Sequence, residues 1–196
     1  MQSNIILAGV GGQGILTIAA VIDRAALQSG LTIRQTEVHG MSQRGGAVQS
    51  HLRISNREIY SDLIAEGTAN LILSVEPLEA LRYLPFLSPE GMVITSIDPF
   101  INIENYPSIE DILTELHRTN RPILVNATEL AREAGNSRTS NMVMLGAASR
   151  NIGIDEKQLE AAIGELFHGK GSDIAAVNIK AFRKGQELSQ TQATAT

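Results

Sequence analysis

The chain of 196 residues contains no cysteine and no tryptophan, and aromatic residues make up only 4% of it. Without cysteine, the chain cannot form disulfides, use a thiol as a nucleophile or hold an iron–sulfur cluster through thiolate ligands. The scarcity of aromatic rings also argues against a platform on which nucleic-acid bases stack. As far as its own residues are concerned, these absences exclude several classes of redox and nucleic-acid-binding protein.

Charge and hydropathy exclude further classes. The net charge is −5 and the isoelectric point is about 5.4, which is unsuited to a general surface for nucleic acid or anionic lipid. No apolar run approaches the roughly 18 residues that a membrane-spanning helix needs, and the start of the chain lacks the basic segment of a signal peptide. We therefore expect a cytoplasmic protein that binds neither nucleic acid nor a membrane.

The length of the chain suits one domain. Hydrophobic residues form 43% of the sequence, which is enough to bury a core. No internal repeat or linker interrupts residues 1–188, so we predict that they form a single domain. The segment 189–196 (SQTQATAT) has low complexity and is predicted to be a disordered tail.

The stretch Asn4–Gly14 (NIILAGVGGQG) is the strongest local signal. Its apolar start predicts a buried strand, and the apolar spacing over Ile15–Gln28 predicts a helix directly after the loop. The G-x-G-x-x-G spacing between them allows a tight turn and the close approach of a ligand to the start of the helix. We predict that a ligand or a partner subunit contacts the loop residues Gly9, Gly11, Gly12, Gln13 and Gly14. The alternative is that the glycines only allow the helix to pack closely on the strand.

A second candidate loop follows the next predicted strand, Thr32–Val38. Its polar and glycine-rich centre consists of Ser42, Gln43, Arg44, Gly45 and Gly46. Both loops follow the carboxyl ends of strands, so we expect them at the same edge of the sheet, where α/β proteins bind ligands. Arg44 offers a fork of hydrogen-bond donors for a carboxylate or a phosphate. The alternative is a solvated turn.

Glu37 lies where a dinucleotide-binding protein places the acidic residue that binds the ribose. We favour a loop or interface role for Glu37, because the second strand is not followed by a helix. Instead, Ala47–Ile54 and Glu58–Tyr60 alternate apolar and polar residues and predict a β-hairpin. The four histidines are not spaced as metal ligands, so we predict structural roles for them and no metal site in this chain.

The rest of the sequence alternates strand and helix patterns. Further strands are predicted at Asn70–Val75, Met92–Ser96 and Pro122–Asn126. Further helices are predicted at Leu78–Tyr83, Ser108–Arg118, Ala127–Ala134, Asn141–Asn151, Asp155–Phe167 and about Ser172–Lys184. This order indicates an α/β fold of three layers, with a Rossmann-like, mostly parallel sheet and an inserted antiparallel hairpin.

Three motifs together resemble a known family. They are GVGGQGI at Gly9–Ile15, EVHGMSQRGGAVQSHLRIS at Glu37–Ser55 and NMVMLGA at Asn141–Ala147. They are similar to the gamma subunits or gamma domains of 2-oxoacid:ferredoxin oxidoreductases, and in particular to the indolepyruvate branch, in which the gamma domain is a separate chain. The resemblance covers about Asn4–Glu187, and the pair of loop motifs is more specific than a lone G-x-G-x-x-G.

The resemblance implies a subunit of an enzyme that decarboxylates a 2-oxoacid, here an aryl pyruvate such as indolepyruvate, with thiamine diphosphate. Electrons pass through iron–sulfur clusters to ferredoxin, and coenzyme A receives the acyl group. A large catalytic partner would hold thiamine diphosphate, Mg and the clusters, which agrees with the absence of cysteine here. The two loops would face each other in a site or a subunit contact. Arg44 would bind an anionic part of coenzyme A or order the partner's active site, and the likeness itself assigns no catalytic residue in this chain.

Two other functions are consistent with the glycine loop alone. The first is a stand-alone nucleotide-binding module that acts as a sensor. The second is an autonomous NAD-dependent dehydrogenase, which the absence of a substrate domain disfavours.

Overall fold

The computed structural model describes residues 2–39, 45–169 and 171–193. Within these ranges, six strands form one sheet in the order β2-β3-β1-β4-β5-β6. The strands are β1 (Gln2–Val10), β2 (Thr32–His39), β3 (Ala47–Ser55), β4 (Ala69–Ser74), β5 (Leu87–Ser96) and β6 (Ile123–Val125). The α-helices are α1 (Ile15–Gln28), α2 (Pro77–Arg82), α3 (Ile109–His117), α4 (Ala127–Ala134), α5 (Ser140–Ile152), α6 (Glu156–His168) and α7 (Ser172–Ala193).

The sheet is mixed, and the predicted α/β fold class is confirmed. Strands β1, β4, β5 and β6 pair in parallel, whereas β3 lies antiparallel between β1 and β2. Because β1 lies inside the sheet with helices on both faces, its side chains from Ser3 to Val10 are all buried. That burial explains the continuous apolar run at its centre, which is typical of a strand covered on both faces.

Helices cover both faces of the sheet. Alternate side chains of β1 point to opposite faces, so Ile5 and Leu7 pack against α1, α4, α5, α6 and α7. Ile6 and Ala8 pack on the other face, in the smaller cluster to which α2 and α3 contribute. The predicted three-layer arrangement is therefore confirmed, with the larger core on the α1 side.

The predicted boundaries agree closely with the structure where the local chemistry is strong. Helix α1 begins at Ile15 and ends at Gln28, as predicted. Ser108 caps α3 by accepting a hydrogen bond from the Asp111 N–H at 3.1 Å. Gly135 ends α4 in the left-handed conformation, at φ 117°, which glycine adopts without steric penalty.

The prediction of a hairpin between Ala47–Ile54 and Glu58–Tyr60 was wrong. Strand β3 pairs along its length with β1 on one side and with β2 on the other. Both of its hydrogen-bonding edges are occupied, so Glu58–Tyr60 has no edge on which to add and is not a strand. The inserted antiparallel hairpin is β2–β3.

The end of the chain differs from the predicted disordered tail. Helix α7 continues through Ser189 to Ala193, and Ser189 is buried while Leu188 packs against the main core. The apolar face of the helix thus extends past the predicted end at Lys184, and residues 194–196 lie outside the described ranges. No helix in the described part of the chain, including the 22 residues of α7, is long and apolar enough to cross a membrane.

Two glycines allow α5 and α7 to cross in backbone contact. A Cβ atom added to Gly146 would lie 1.9 Å from the Phe182 carbonyl oxygen, and one added to Gly185 would lie 2.0 Å from the Val143 carbonyl oxygen. No side chain fits at either position, because the obstacle is backbone rather than a movable side chain. The glycine in the NMVMLGA motif is therefore explained by helix packing.

We expect Gly146→Ala to destabilise the fold by about 1–3 kcal/mol or more, since the helices must separate to admit the methyl group. Gly164→Ala in α6 is the matched control, because its Cβ would meet only Ile179 Cδ1 at 3.8 Å. That control should be neutral or gain up to about 1 kcal/mol from helix propensity. Urea denaturation of both variants is the measurement, and equal stabilities would contradict the close crossing.

Candidate functional site

The carboxyl edge of the sheet has a crevice between β1 and β4. Helix α1 leaves β1 onto one face of the sheet, and α2 leaves the neighbouring β4 onto the other face. The chain therefore diverges between these two strands, which is the position where open α/β sheets bind ligands. The glycine loop lies at the end of β1, and Glu76 lies at the end of β4.

The glycine loop is shaped by contacts that exclude side chains. A Cβ on Gly9 would lie 2.4 Å from Val75 Cγ2, and a Cβ on Gly14 would lie 2.5 Å from Asn141 Nδ2. Gly14 also caps α1 in the left-handed conformation, at φ 82°. Its carbonyl oxygen accepts a hydrogen bond from Asn141 Nδ2 at 3.2 Å. The first residue of the NMVMLGA motif therefore ties α5 to the glycine loop.

The side chain of Gln13 points back into the protein. Its Oε1 accepts a hydrogen bond from the Val10 N–H at 2.7 Å, and its Nε2 lies 3.5 Å from the Val75 carbonyl oxygen. The first contact is a good hydrogen bond, whereas the second is long and therefore weak. Gln13 thus connects the loop to the end of β4. The backbone of the loop, and not the Gln13 side chain, faces the crevice.

The structure brings the described part of the second predicted loop against the first. The Gly11 N–H donates to the Gly46 carbonyl at 2.9 Å, and the Gly45 N–H lies 3.4 Å from the Gly11 carbonyl oxygen. This contact arises because β3 runs antiparallel to β1, so that β3 begins where β1 ends. The predicted site residues Ser42, Gln43 and Arg44 lie outside the described residues.

A third segment, residues 98–106, completes this edge, and sequence reasoning missed it. Asn102 Nδ2 donates to the Gly45 carbonyl oxygen at 2.6 Å.

Glu76 is 1% exposed, and its Oε1 accepts hydrogen bonds from the Phe100 N–H at 3.3 Å and from the Tyr106 hydroxyl. Its Oε2 accepts from the Glu79 N–H at 2.8 Å, which caps α2. A glutamate between a buried strand and Pro77 was the one sequence signal that could have indicated this cap.

Burial and the hydrogen bond to Glu76 also raise the pKa of Tyr106. Loss of solvent is the largest cause that raises the pKa of the Tyr106 hydroxyl, and the hydrogen bond it donates to Glu76 is the next. The hydroxyl thus remains a donor at physiological pH. Tyr106 therefore holds the buried carboxylate and is not poised to act as a base.

Two cavities flank the paired loops. The larger has a volume of about 470 Å³ and is lined by Val10, Gly11, Gly12, Gly14, Ile15, Leu16 and Val48. None of these described lining residues is ionisable, and Ile15 and Leu16 begin α1, where first-turn N–H groups have no partner within the helix. The cleft therefore suits an apolar group that continues into an anionic or hydrogen-bonding one.

The smaller cavity, of about 200 Å³, is lined by both polar and apolar residues. Gly45, Glu76, Glu79, Arg82, Asn102 and Tyr106 are among the residues that line it. Arg82 holds Glu79 with two hydrogen bonds, of 3.0 and 3.3 Å. Burial raises the pKa of Glu79, and the bonds from Arg82 oppose that shift. The cavity thus joins the 98–106 segment to α2 through satisfied polar groups.

Glu37 is not placed to bind a ribose beside the glycine loop. Strand β3 separates β2 from β1, so Glu37 lies two strand spacings, roughly 10 Å, from β1. Its carboxylate accepts a hydrogen bond from Gln35 Nε2 at 2.7 Å, and its charge acts on Asp23 of α1. Glu37 therefore does not serve a ribose site, but it lies within strand β2 rather than in the loop that we predicted, and its interface role stays a prediction.

Asp23 is the most strongly perturbed carboxyl group of this region. Its Oδ1 is buried and has no hydrogen-bond partner among the described residues. Burial, and next the charge of Glu37, raise the pKa of Asp23 to about 6. The folded state therefore prefers protonated Asp23, so this group favours folding most below about pH 4, and that contribution is lost as pH rises through 6.

We expect Asp23→Asn to become more stable relative to the parent chain as pH rises from 4 to 7, because asparagine stays neutral. A pKa change of this size corresponds to at most about 3 kcal/mol. Asp23 is only partly buried, so solvent screening reduces the expected effect to about 1–2 kcal/mol. The measurement is the unfolding free energy of both chains across this pH range, and parallel curves would contradict the assignment.

The histidines with described side chains have structural positions. His51 is buried, its Nδ1 accepts from the Ile64 N–H at 3.1 Å, and burial lowers its pKa. His117 and His168 are the last residues of α3 and α6, and the side chain of His39 lies outside the described part. In the residues that the structure describes, no group of three or more histidine, aspartate and glutamate side chains could hold a metal ion.

The fold and the site define a class of protein. It is a Rossmann-like α/β domain in which an inserted antiparallel strand joins two glycine-rich loops at the switch point of the sheet. Residues 4–188 match the family described as pyruvate ferredoxin/flavodoxin oxidoreductase, and the chain belongs to this family. The family predicted from the loop motifs is thereby confirmed.

Two relatives align with nearly the whole chain. An indolepyruvate oxidoreductase subunit, IorB, of Archaeoglobus fulgidus is 40% identical in an alignment 196 residues long, which covers 94% of this chain and 94% of the relative. A 2-oxoglutarate synthase subunit, KorC, of Methanothermobacter marburgensis is 32% identical in an alignment 190 residues long, which covers 96% of this chain and 97% of the relative. The first relative is named as a subunit of an indolepyruvate oxidoreductase and the second as a subunit of a 2-oxoglutarate synthase. Neither the sensor nor the NAD-dependent dehydrogenase receives support.

The fold also occurs within longer chains. The structure of 2-oxoglutarate:ferredoxin oxidoreductase from Magnetococcus marinus matches with a TM-score of 0.77 and 22% identity, over 97% of this chain and 31% of that one. At this identity the similarity establishes the fold. It shows that the same domain architecture can be one segment of a larger oxidoreductase.

Proposed function

We propose that this chain is the gamma-type subunit of a thiamine-diphosphate-dependent 2-oxoacid:ferredoxin oxidoreductase that acts on indolepyruvate or a related aryl pyruvate. The main support for this proposal is the 40% identity to an indolepyruvate oxidoreductase subunit over 94% of both chains. The reaction is oxidative decarboxylation of the 2-oxoacid to an acyl-coenzyme A, with ferredoxin as the electron acceptor. The enzyme works in the cytoplasm.

The residues of this chain support a division of labour with a large catalytic subunit. The whole sequence lacks cysteine, so thiolate-ligated iron–sulfur clusters belong to the partner. Among the described residues, no group of three or more histidine, aspartate and glutamate side chains could hold a metal ion. Thiamine diphosphate, Mg and the clusters are therefore assigned to the partner subunit.

The contribution of this chain is the carboxyl edge of its sheet. The first turn of α1 presents backbone N–H groups beside an apolar cleft of about 470 Å³, and helix starts favour anions. Gly45 and Gly46 are paired with the same loop, so Arg44, next in sequence to Gly45, is our candidate to bind an anionic part of coenzyme A or to order the partner's active site. In this proposal the glycine-loop residues lie with Gly45 and Gly46 on one face of the assembled site, and Ser42, Gln43 and Arg44 are assigned to the same site from the sequence alone.

We expect the purified chain alone to give no turnover, because the cofactor-binding groups belong to the partner. The assay is aryl-pyruvate-dependent reduction of a viologen dye with thiamine diphosphate and coenzyme A added. The same assay after reconstitution with the large subunit is the positive control. Turnover of the lone chain at the rate of the complex would contradict the subunit assignment.

Arg44→Ala should impair the assembled enzyme far more than it lowers the melting temperature of the chain. Charge-assisted hydrogen bonds to a phosphate or carboxylate contribute roughly 1.5–3 kcal/mol each, which corresponds to one or two decades in affinity or rate. Arg44→Lys should restore activity only in part, because an ammonium group cannot replace the planar fork. The measurement is steady-state kinetics of the complex at varied coenzyme A.

The matched control for Arg44 is Arg57→Ala, an exposed arginine just beyond the far end of β3. This variant should retain the coenzyme A dependence of the parent enzyme. If Arg44→Ala behaves in the same way in a complex that still assembles, Arg44 is an ordinary solvated residue.

A further inference from the structure

We propose that the 98–106 segment positions the paired glycine loops for coenzyme A, with Asn102, Tyr106 and Glu76 as its positioning residues. The inference rests on the proposed function and assigns to it three residues that none of the sequence motifs contains. Asn102 makes the direct contact, through its 2.6 Å hydrogen bond to the Gly45 carbonyl oxygen. Glu76 and Tyr106 act one step further away, by fixing the segment that carries Asn102.

The segment is fixed at its start and on both sides of Asn102. Asp98 Oδ2 accepts hydrogen bonds from the Ser96 hydroxyl at 3.0 Å and from the Thr128 N–H at 2.8 Å. Glu76 then binds the Phe100 N–H and the Tyr106 hydroxyl with the same carboxylate oxygen. The residues between Phe100 and Tyr106 thus form a short closed loop whose two ends meet at one buried carboxylate.

The anchor of the 98–106 segment requires full hydrogen bonding, because Glu76 is buried. A buried carboxylate is tolerated only when hydrogen bonds replace its water, and Glu76 at 1% exposure receives them from Glu79, Phe100 and Tyr106. Each donor lost leaves a buried negative charge less well satisfied. The segment is therefore held by a group that strongly favours this one arrangement.

Asn102 differs from its anchors because it is exposed. Its side chain donates a hydrogen bond to the Gly45 carbonyl oxygen. The N–H of the same Gly45 lies 3.4 Å from the Gly11 carbonyl oxygen. Gly11 in turn donates to Gly46 and lines the apolar cleft at the start of α1. The Asn102 side chain contributes nothing to the core, yet it controls the position of the backbone at the switch point. A substitution of Asn102 can therefore alter the site without lowering the stability of the fold.

The test uses the reconstituted complex with Asn102→Ala and Asn102→Asp, the latter keeping the shape of the side chain without its donor. The control is Asn120→Ala, because exposed Asn120 also donates to backbone carbonyls, of Pro89 at 3.2 Å and Gly91 at 3.4 Å, away from the site. We expect both Asn102 variants to raise the KM for coenzyme A roughly twofold to tenfold, the effect of one lost hydrogen bond. The kcat and the KM for the 2-oxoacid should stay within about twofold.

Hydrogen exchange supplies a readout that does not depend on activity. Amides of residues 9–14 and 45–47 should exchange faster in the Asn102 variants and should not change in the Asn120 control. Tyr106→Phe should produce the same pattern with the donor to Glu76 removed, and Asn102→Gln, which keeps an amide donor, should recover part of the coenzyme A affinity.

The outcomes separate this inference from the proposed function. If the parent complex depends on coenzyme A and both Asn102 variants keep its KM, the positioning role is overturned while the proposed function stands. Unchanged exchange in residues 9–14 and 45–47 would overturn it as well. A parent complex whose turnover is independent of coenzyme A would overturn the proposed function, and this inference with it.

Discussion

Strand β3 runs antiparallel between β1 and β2, and the candidate site depends on that placement. A parallel strand in this position would begin at the opposite edge of the sheet and would leave Gly45 and Gly46 far from the glycine loop. The antiparallel direction instead makes β3 begin where β1 ends, so that the Gly11 N–H donates a hydrogen bond of 2.9 Å to the Gly46 carbonyl oxygen. The same insertion moves β2, and with it Glu37, away from the position that a dinucleotide-binding fold requires.

The helical layer supports the glycine loop from behind. Asn141 at the start of α5 donates to the Gly14 carbonyl oxygen, and Gly146 one turn and a half further on allows α5 to lie against the backbone of α7. One short motif therefore serves both the site and the core. Because backbone contacts of this kind leave no space for adjustment, the position of the glycine loop is coupled to the packing of the helices beneath it.

The 98–106 segment, the third part of this edge, is held in place by polar contacts and not by helix packing. The 98–106 segment contains no helix or strand, and it is held by hydrogen bonds to the buried carboxylate of Glu76 and the partly buried carboxylate of Asp98. It carries exposed apolar residues, among them Phe100 and Ile101. Polar anchors thus hold in place a segment that the hydrophobic core alone would not fix.

The sequence by itself determined the local elements and the family. Apolar periodicity, glycine spacing and caps such as Ser108 are set within a few residues of the chain, so α1, α3 and α4 could be predicted closely. Tertiary structure decided the pairing of β3, the continuation of α7 past Lys184 and the meeting of Glu76, Asn102 and Tyr106. These depend on contacts between residues far apart in the chain. A strand with alternating side chains can pair on either edge, and a glutamate before a proline shows a helix cap but not the tyrosine 30 residues later that it binds.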